Sequence, residues 1–187
     1  MRKSNKEAAL TRKAIVAAAA DHIRGAGIVE ASVANVMTAA GLTHGGFYRH
    51  FRNKEQLVAE ALSAAGNETV AVFNQRMRKV GVDGAVDGYL STSHRDAPTP
   101  MCPFAALGSE IARADHETKA AASEILKRVF DALAEGTSGP EARSEAISAF
   151  CTMVGAMTLS RIASDDSLSD QILMSAKTRL RRQTKRA

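Results

Sequence analysis

The side chains best equipped for chemistry lie in one short run, Thr43-His44-Gly45-Gly46-Phe47-Tyr48-Arg49-His50. It offers a hydroxyl, a phenol, a guanidinium and two imidazoles. Groups of this kind suit hydrogen bonding to phosphate oxygens and base edges rather than bond-breaking chemistry. The two glycines would let the backbone approach a ligand closely, yet each costs about 1 kcal/mol of helix propensity relative to alanine. Three aromatics fall between Phe47 and Phe51 in a chain that holds only 6 Phe, 2 Tyr and no Trp. Phe47 and Phe51 read as plugs that anchor a short helix with little area of its own. Tyr48 reads as a packed ring offering its hydroxyl to a phosphate.

Cys102 is the second candidate. It precedes Pro103, which suits the first position of a helix. A thiol there would feel the helix dipole and free N–H groups, which lower its pKa. The loop "HRDAPTPMCP" leads into it and suggests exposure. Cys151 falls on the apolar face of "ISAFCTMVGAM" and reads as inert core. Two cysteines are too few for a disulfide scaffold and too sparse for a zinc site. His94 and His116 stand apart from any paired Cys, Asp or Glu at ligand spacing, and no G-x-S-x-G, Walker or dinucleotide fingerprint is present. Neither enzyme activity nor a metal or cofactor is expected.

The elements that must carry these groups are helical, since every strong periodicity is. "EAALTRKAIVAAAADHIRGAG" sets Leu10, Ile15, Ala18, Ala19 and Ile23 near one face and ends at Gly25 and Gly27. Ser32 is a plausible N-cap for "ASVANVMTAAGL", which stops at Gly41. Thr43 caps a third helix, His44 to about Phe51, and Asn53 caps a fourth, "KEQLVAEALSAAGNETVAVFNQRMRK", with Leu57, Ala61, Leu62 and Ala65 at helical spacing. Beyond Val80 a weaker helix is interrupted by Gly84 and Gly88. Further helices follow from Pro103, from His116 to a stop at Gly136, over "EARSEAISAFCTMVGAMTLSRIA" and over "SLSDQILMSAKTRLRRQ". The expectation is an all-α fold of about nine helices. Residues 1–53 form a helix-turn-helix head and 54–187 a larger helical part, joined through one continuous fourth helix. In such a head the second helix of the pair enters the DNA major groove.

The bulk numbers agree. The chain is 45% hydrophobic and 24% charged, with a net charge of +5. Residues 1–54 carry +6, residues 55–176 carry −7 and residues 177–187 carry +6. A basic head on an acidic body suggests a polyanion partner at one end. No apolar run approaches the roughly 18 residues of a membrane span, and no signal peptide is evident, so a cytoplasmic location is expected.

The stretch "TRKAIVAAAADHIRGAGIVEASVANVMTAAGLTHGGFYRHFRNKEQLVAEAL", and within it "AGLTHGGFYRHFRNKEQL", resembles the tetracycline-repressor (TetR) family of bacterial transcriptional regulators. The resemblance implies an Ω-shaped all-α homodimer that represses transcription and leaves double-stranded operator DNA when a small-molecule effector binds. It places DNA contacts on Ser32, Thr43, His44, Gly45, Gly46, Tyr48, Arg49, His50 and Lys54. The family often has Lys at position 44 and Thr or Ala at position 46, where this chain has His and Gly.

Outside the head, Phe73, Tyr89, Met101, Cys102, Phe104, Leu107, Phe150, Met153 and Met157 are candidates to line an effector cavity, with plain core packing as the competing reading. "MCPFAALGSEIARAD" also resembles a subset of the family in which a Cys-Pro pair opens the sixth helix. A thiol-based sensor of oxidants or electrophiles, with a vestigial head, is the alternative function. The last two long helices carry Ala146, Ile147, Phe150, Val154, Met157, Leu168, Ile172, Leu173, Ala176 and Leu180, a set suited to a homodimeric four-helix bundle.

Overall fold

Ser32 and Asn53 start two helices by the same device. The Ser32 hydroxyl oxygen accepts from the Asn35 N–H at 3.1 Å, and the Asn53 side-chain oxygen accepts from the Gln56 N–H at 2.9 Å. Each cap is worth about 1 kcal/mol. The computed structural model describes residues 5–135 and 139–184, with side chains as far as residue 181. Its elements are α1 (Asn5–Ala26), α2 (Val33–Ala39), a 3-10 reader helix (His44–Arg49), α3 (Lys54–Tyr89), α4 (Thr92–Arg95), α5 (Pro103–Arg113), α6 (His116–Glu135), α7 (Ala142–Ile162) and α8 (Asp166–Thr184). Among the described residues these nine helices are the regular structure, and none is long and apolar enough to cross a membrane. Gly136, the expected stop of α6, and the last residues of the basic tail lie outside the described residues.

Gly41 makes the turn of the helix-turn-helix. It sits at φ +71°, where L residues are strained, and its N–H donates to Thr38 O at 2.9 Å while the Leu42 N–H donates to Met37 O at 2.8 Å. Those two bonds are a Schellman cap, and they swing the chain directly into the reader helix. That helix is tighter and shorter than expected. Two glycines in six residues give little α-propensity, and 3-10 geometry is the form that short pieces take.

The break after Val80 is also corrected. Gly84 and Gly88 do not interrupt the chain; α3 runs to Tyr89 and kinks at Gly81, which is at φ +73° and ψ 179°. The short α4, which takes up the first two residues of the expected loop, begins with the Ser91 hydroxyl accepting from the His94 N–H.

One continuous buried cluster runs from Ile15, Val36, Phe47 and Leu57 in the head to Leu107, Ile125, Phe150 and Met157 in the body. Helices α3 and α6 approach closely at Gly66. A Cβ there would press into the fully buried Ile125, 2.6 Å from Cγ1 and 2.8 Å from Cγ2. Gly66→Ala is therefore expected to destabilise the fold by up to about 2 kcal/mol, the overpacking cost of about 1–3 kcal/mol less the helix-propensity gain of about 1 kcal/mol. The midpoint of urea unfolding, at unchanged slope, checks this.

Candidate nucleic-acid interface and internal cavity

The reader helix is anchored by one ring. Phe47 is fully buried and stacks on Phe51 with centroids 5.4 Å apart. Tyr48 leans edge-on against Phe47 at 5.2 Å but is 72% exposed, so its ring is not packed as expected and the whole phenol faces outward. Thr43 is extended and exposed, and its hydroxyl makes no capping bond, contrary to expectation. The helix needs no such cap, because its short 3-10 ladder already takes the Gly46 N–H onto Thr43 O at 3.1 Å. His44, Gly45 and Arg49 are exposed, while Gly46 and His50 are half-buried.

The two glycines are informative. A Cβ on Gly45 would meet nothing within 4 Å, and one on Gly46 would make only an ordinary contact with Met37 at 3.6 Å. Packing inside the chain does not require glycine at either position.

Ser32 and Lys54 are partly committed to the head itself. The Ser32 oxygen caps α2, leaving its O–H to donate elsewhere. The Lys54 ammonium donates to Val29 O at 3.2 Å and ties α3 to the loop after α1.

Behind the reader lies a clamp that sequence reasoning missed. The Arg12 guanidinium lies 4.6 Å over the Phe51 ring and donates through Nε to His50 O at 3.2 Å. Its two terminal nitrogens bind the Glu60 carboxylate, Nη2 to Oε1 at 2.5 Å. Glu60 in turn accepts from Gln56 Nε2 at 3.1 Å, and Gln56 accepts the Arg52 N–H at 2.8 Å. The hydrogen bond to Glu60 raises the Arg12 pKa against the opposing effect of burial. The clamp holds the far end of the reader helix to α1 and α3. It joins residues 38 and 48 positions apart, so no local signal could have found it.

The body grips the head at a separate point. Glu110 of α5 accepts from the N–H groups of Ile28 and Val29, at 2.7 and 3.3 Å. These amides follow Gly27, at φ +95°, in the loop between α1 and α2. Arg52 reaches Glu117 of α6 at 3.3 Å, an exposed contact of little energetic weight.

A cavity of about 170 Å³ opens beside the Gly81 kink. Phe73, Tyr89, Met101 and Cys102 belong to its wall, together with Thr69, Val72, Arg76, Ala85, Gly88, Ser91, Ser93, His94, Ala97 and Thr99. Phe104, Leu107, Phe150, Met153 and Met157 do not line it. Phe150 is instead the hub of a ring cluster with Tyr89, Phe104 and Phe130, at 6.4, 5.9 and 6.0 Å, and Leu107, Met153 and Met157 are buried core. Apolar spacing marks both roles alike, so hydrophobicity alone could not separate them.

The two cysteines exchange their expected places. Cys102 is fully buried, and burial pushes its thiol pKa up; contact with the Tyr89 hydroxyl and the N–H groups of Ala105 and Phe104 pulls the other way and loses. The helix-terminus effect is present, but desolvation dominates it. Cys151 is exposed on α7, not core, and both thiols are free. No group of three or more His, Cys, Asp or Glu among the described residues is placed to hold a metal.

His94 turns its ring edge-on to Tyr89, with centroids 4.7 Å apart. Its Nδ1 bonds the Tyr89 carbonyl at 2.6 Å, so the proton belongs on that nitrogen. Burial lowers the imidazole pKa; the Tyr89 carbonyl opposes this, and the charges of Arg161 and Arg76 add to it.

On the outer side of α7 and α8 the expected dimer stripe divides. Ala146, Phe150, Met157, Leu173, Ala176 and Leu180 are buried within their own chain, because α7 and α8 pack on the body core. Val154 and Ile172 are half-buried, Ile147 and Leu168 are exposed, and Leu159, Ile162 and Met174, outside the expected set, are exposed beside them.

An exposed short helix behind a Schellman turn, carried by three head helices on an all-helical body, defines a helix-turn-helix DNA-binding protein. Residues 15–61 match the family model described as bacterial regulatory proteins, tetR family. Two relatives, uncharacterized HTH-type transcriptional regulators of Mycobacterium tuberculosis strains CDC 1551 and H37Rv, are each 29% identical over 170 residues, covering 82% of this chain and 86% of theirs. Among solved structures, a TetR-family transcriptional regulator from Cytophaga hutchinsonii matches with a TM-score of 0.77 at 19% identity, covering 94% of this chain and 96% of that one. E. coli NemR in its reduced form matches with a TM-score of 0.74 at 17% identity, covering 91% and 95%. The head thus matches the DNA-binding part of the bacterial tetR-family regulators, and the chain as a whole shares the fold of such regulators.

Proposed function

We propose that this protein is a dimeric repressor that binds a palindromic operator and is released by a small-molecule effector. The observation that carries the DNA half is the reader surface. Thr43, His44, Tyr48 and Arg49 point outward around two glycines that no internal packing requires. Tyr48 and Thr43 have free hydroxyls for phosphates, and Arg49 reaches base edges or phosphate. The exposed apolar residues of α7 and α8 supply the two-fold contact, which sets a second reader one helical turn of DNA away. Work on operator DNA would be done in the cytoplasm.

The effector half rests on the position of α5. Cys102, at its start, is in the cavity wall, and Glu110, near its end, holds the head's α1–α2 loop. A ligand that favours a different seat for α5 shifts the population of head positions away from the one that fits DNA. A thiol switch is the weaker reading, since the sulfur at the cavity is buried with a raised pKa.

The test is selection of bound sequences from a random DNA pool by the purified full chain. A palindrome with half-sites about 34 Å apart, or a multiple, is expected. It should be enriched equally by a Cys151→Ser variant with and without mild oxidant. No enrichment over bulk DNA would refute the repressor reading.

A further inference from the structure

The cavity's polar groups share one electrostatic character. Arg76 lines it and makes no ion pair among the described residues. Its guanidinium rests against Gly88 across the kink: a Cβ on Gly88 would lie 2.7 Å from Arg76 Nε and nearer still to the terminal nitrogen. The helix thus carries no side chain where that guanidinium lies. Tyr89, only 6% exposed, has a buried hydroxyl with no oxygen or nitrogen partner and only the weakly accepting Cys102 sulfur beside it, and His94 Nε2 is buried without a partner. Behind them Arg161 donates to the carbonyls of Arg95 and His94 at 3.1 and 2.9 Å, while its remaining Nη1 is buried and unpartnered. The wall contains no Asp or Glu. Val72, Phe73, Ala85 and Met101 supply the apolar remainder.

We propose that this cavity binds a small organic anion, a carboxylate on a short apolar body, with its charge set by Arg76 and the Tyr89 hydroxyl. The inference rests on the effector reading above and gives that effector a chemical class. A neutral alcohol or amide could satisfy Tyr89 and His94, but it would leave Arg76 in the wall without a counterion. Charge-assisted bonds to a carboxylate are roughly twice as strong as neutral ones. The groups facing His94 are Tyr89 and Arg76 from α3 and Arg161 from α7. With its proton on Nδ1, His94 presents a bare Nε2. A bound anion offsets the two guanidinium charges and lets Nε2 take up a proton. Carriage of that proton by the entering acid is thermodynamically the same event, so binding tightens as pH falls either way.

The test is calorimetric titration of the full chain, without DNA, with benzoate, phenylacetate and hexanoate against their primary amides. The acids should bind at least about tenfold more tightly than the amides at pH 6, and the margin should narrow toward pH 8 without vanishing, since Arg76 stays charged throughout. Arg76→Met should remove the acids' advantage, weakening the acids far more than the amides. Gly88→Ala, which displaces the guanidinium without deleting it, should do the same and serves if the first variant fails to fold. Amides binding as tightly as acids would overturn the anion assignment and leave the cavity as an effector site. Binding of neither series at millimolar concentration would also overturn the anion assignment, and the operator selection separately decides whether the repressor reading stands.

Discussion

Phe47→Ala is expected to abolish operator binding and to cost the fold about 3–5 kcal/mol, the range for deleting a buried phenylalanine. The ring is fully buried, stacks on Phe51 and carries the edge of Tyr48. A six-residue 3-10 helix has almost no other buried side chain with which to hold its place. Thermal or urea unfolding gives the stability, and fluorescence anisotropy with the selected operator gives the affinity. Phe47→Leu separates the two effects. It keeps most of the apolar volume, so the fold should survive while DNA affinity falls, because the reader is held less firmly. Equal operator binding by Phe47→Ala and wild type, at full folding, would mean that the reader helix is not the DNA-contacting element.

The second large effect is on the salt dependence. A dimer that neutralises 6–10 phosphates should lose about 10³–10⁵ in operator affinity between 50 and 200 mM salt. Arg49→Ala should weaken binding and identify its own role. If Arg49 meets a phosphate, the slope of log affinity against log salt falls by roughly one per contact and all sequences suffer alike. If it reads a base, the slope is unchanged and discrimination at one position drops by about 1–3 kcal/mol. A flat salt response would rule out phosphate-dominated binding by this surface. Tyr48→Phe should remove one neutral phosphate bond with no change in slope.

Most of the fold was legible because its determinants are local. Ser32, Asn53 and Pro103 sit at helix starts for reasons of capping geometry alone, and Gly41 adopts the positive φ that a helix-turn-helix demands. The kink was not legible in the same way. Glycines stand at 81, 84 and 88, and only tertiary packing selects Gly81 for positive φ while Gly88 makes room for Arg76. Cys102 shows the same division. Its place at a helix N-terminus was readable, but the fold sets it in the core, where desolvation outweighs the amides. The Arg12–Glu60 clamp and the pairing of Arg76 with His94 in one cavity wall arise only when distant segments meet. The largely exposed run of candidates from Thr43 to Arg49 was legible because its residues are contiguous in the chain.

The bond from Glu110 to the head has a mechanical meaning. Glu110 lies seven residues beyond Pro103, a lever arm of about 10 Å along α5 at 1.5 Å per residue. A tilt of roughly 6° about the Cys102 end would carry the carboxylate through about 1 Å. The Ile28 bond, now 2.7 Å, would then stretch beyond the roughly 3.2 Å reach of a good hydrogen bond. The grip on the head is therefore tied to the seat of α5 in the core: the tilt that would release Glu110 also moves its neighbours Leu107 and Ile111, so letting go and repacking are one event.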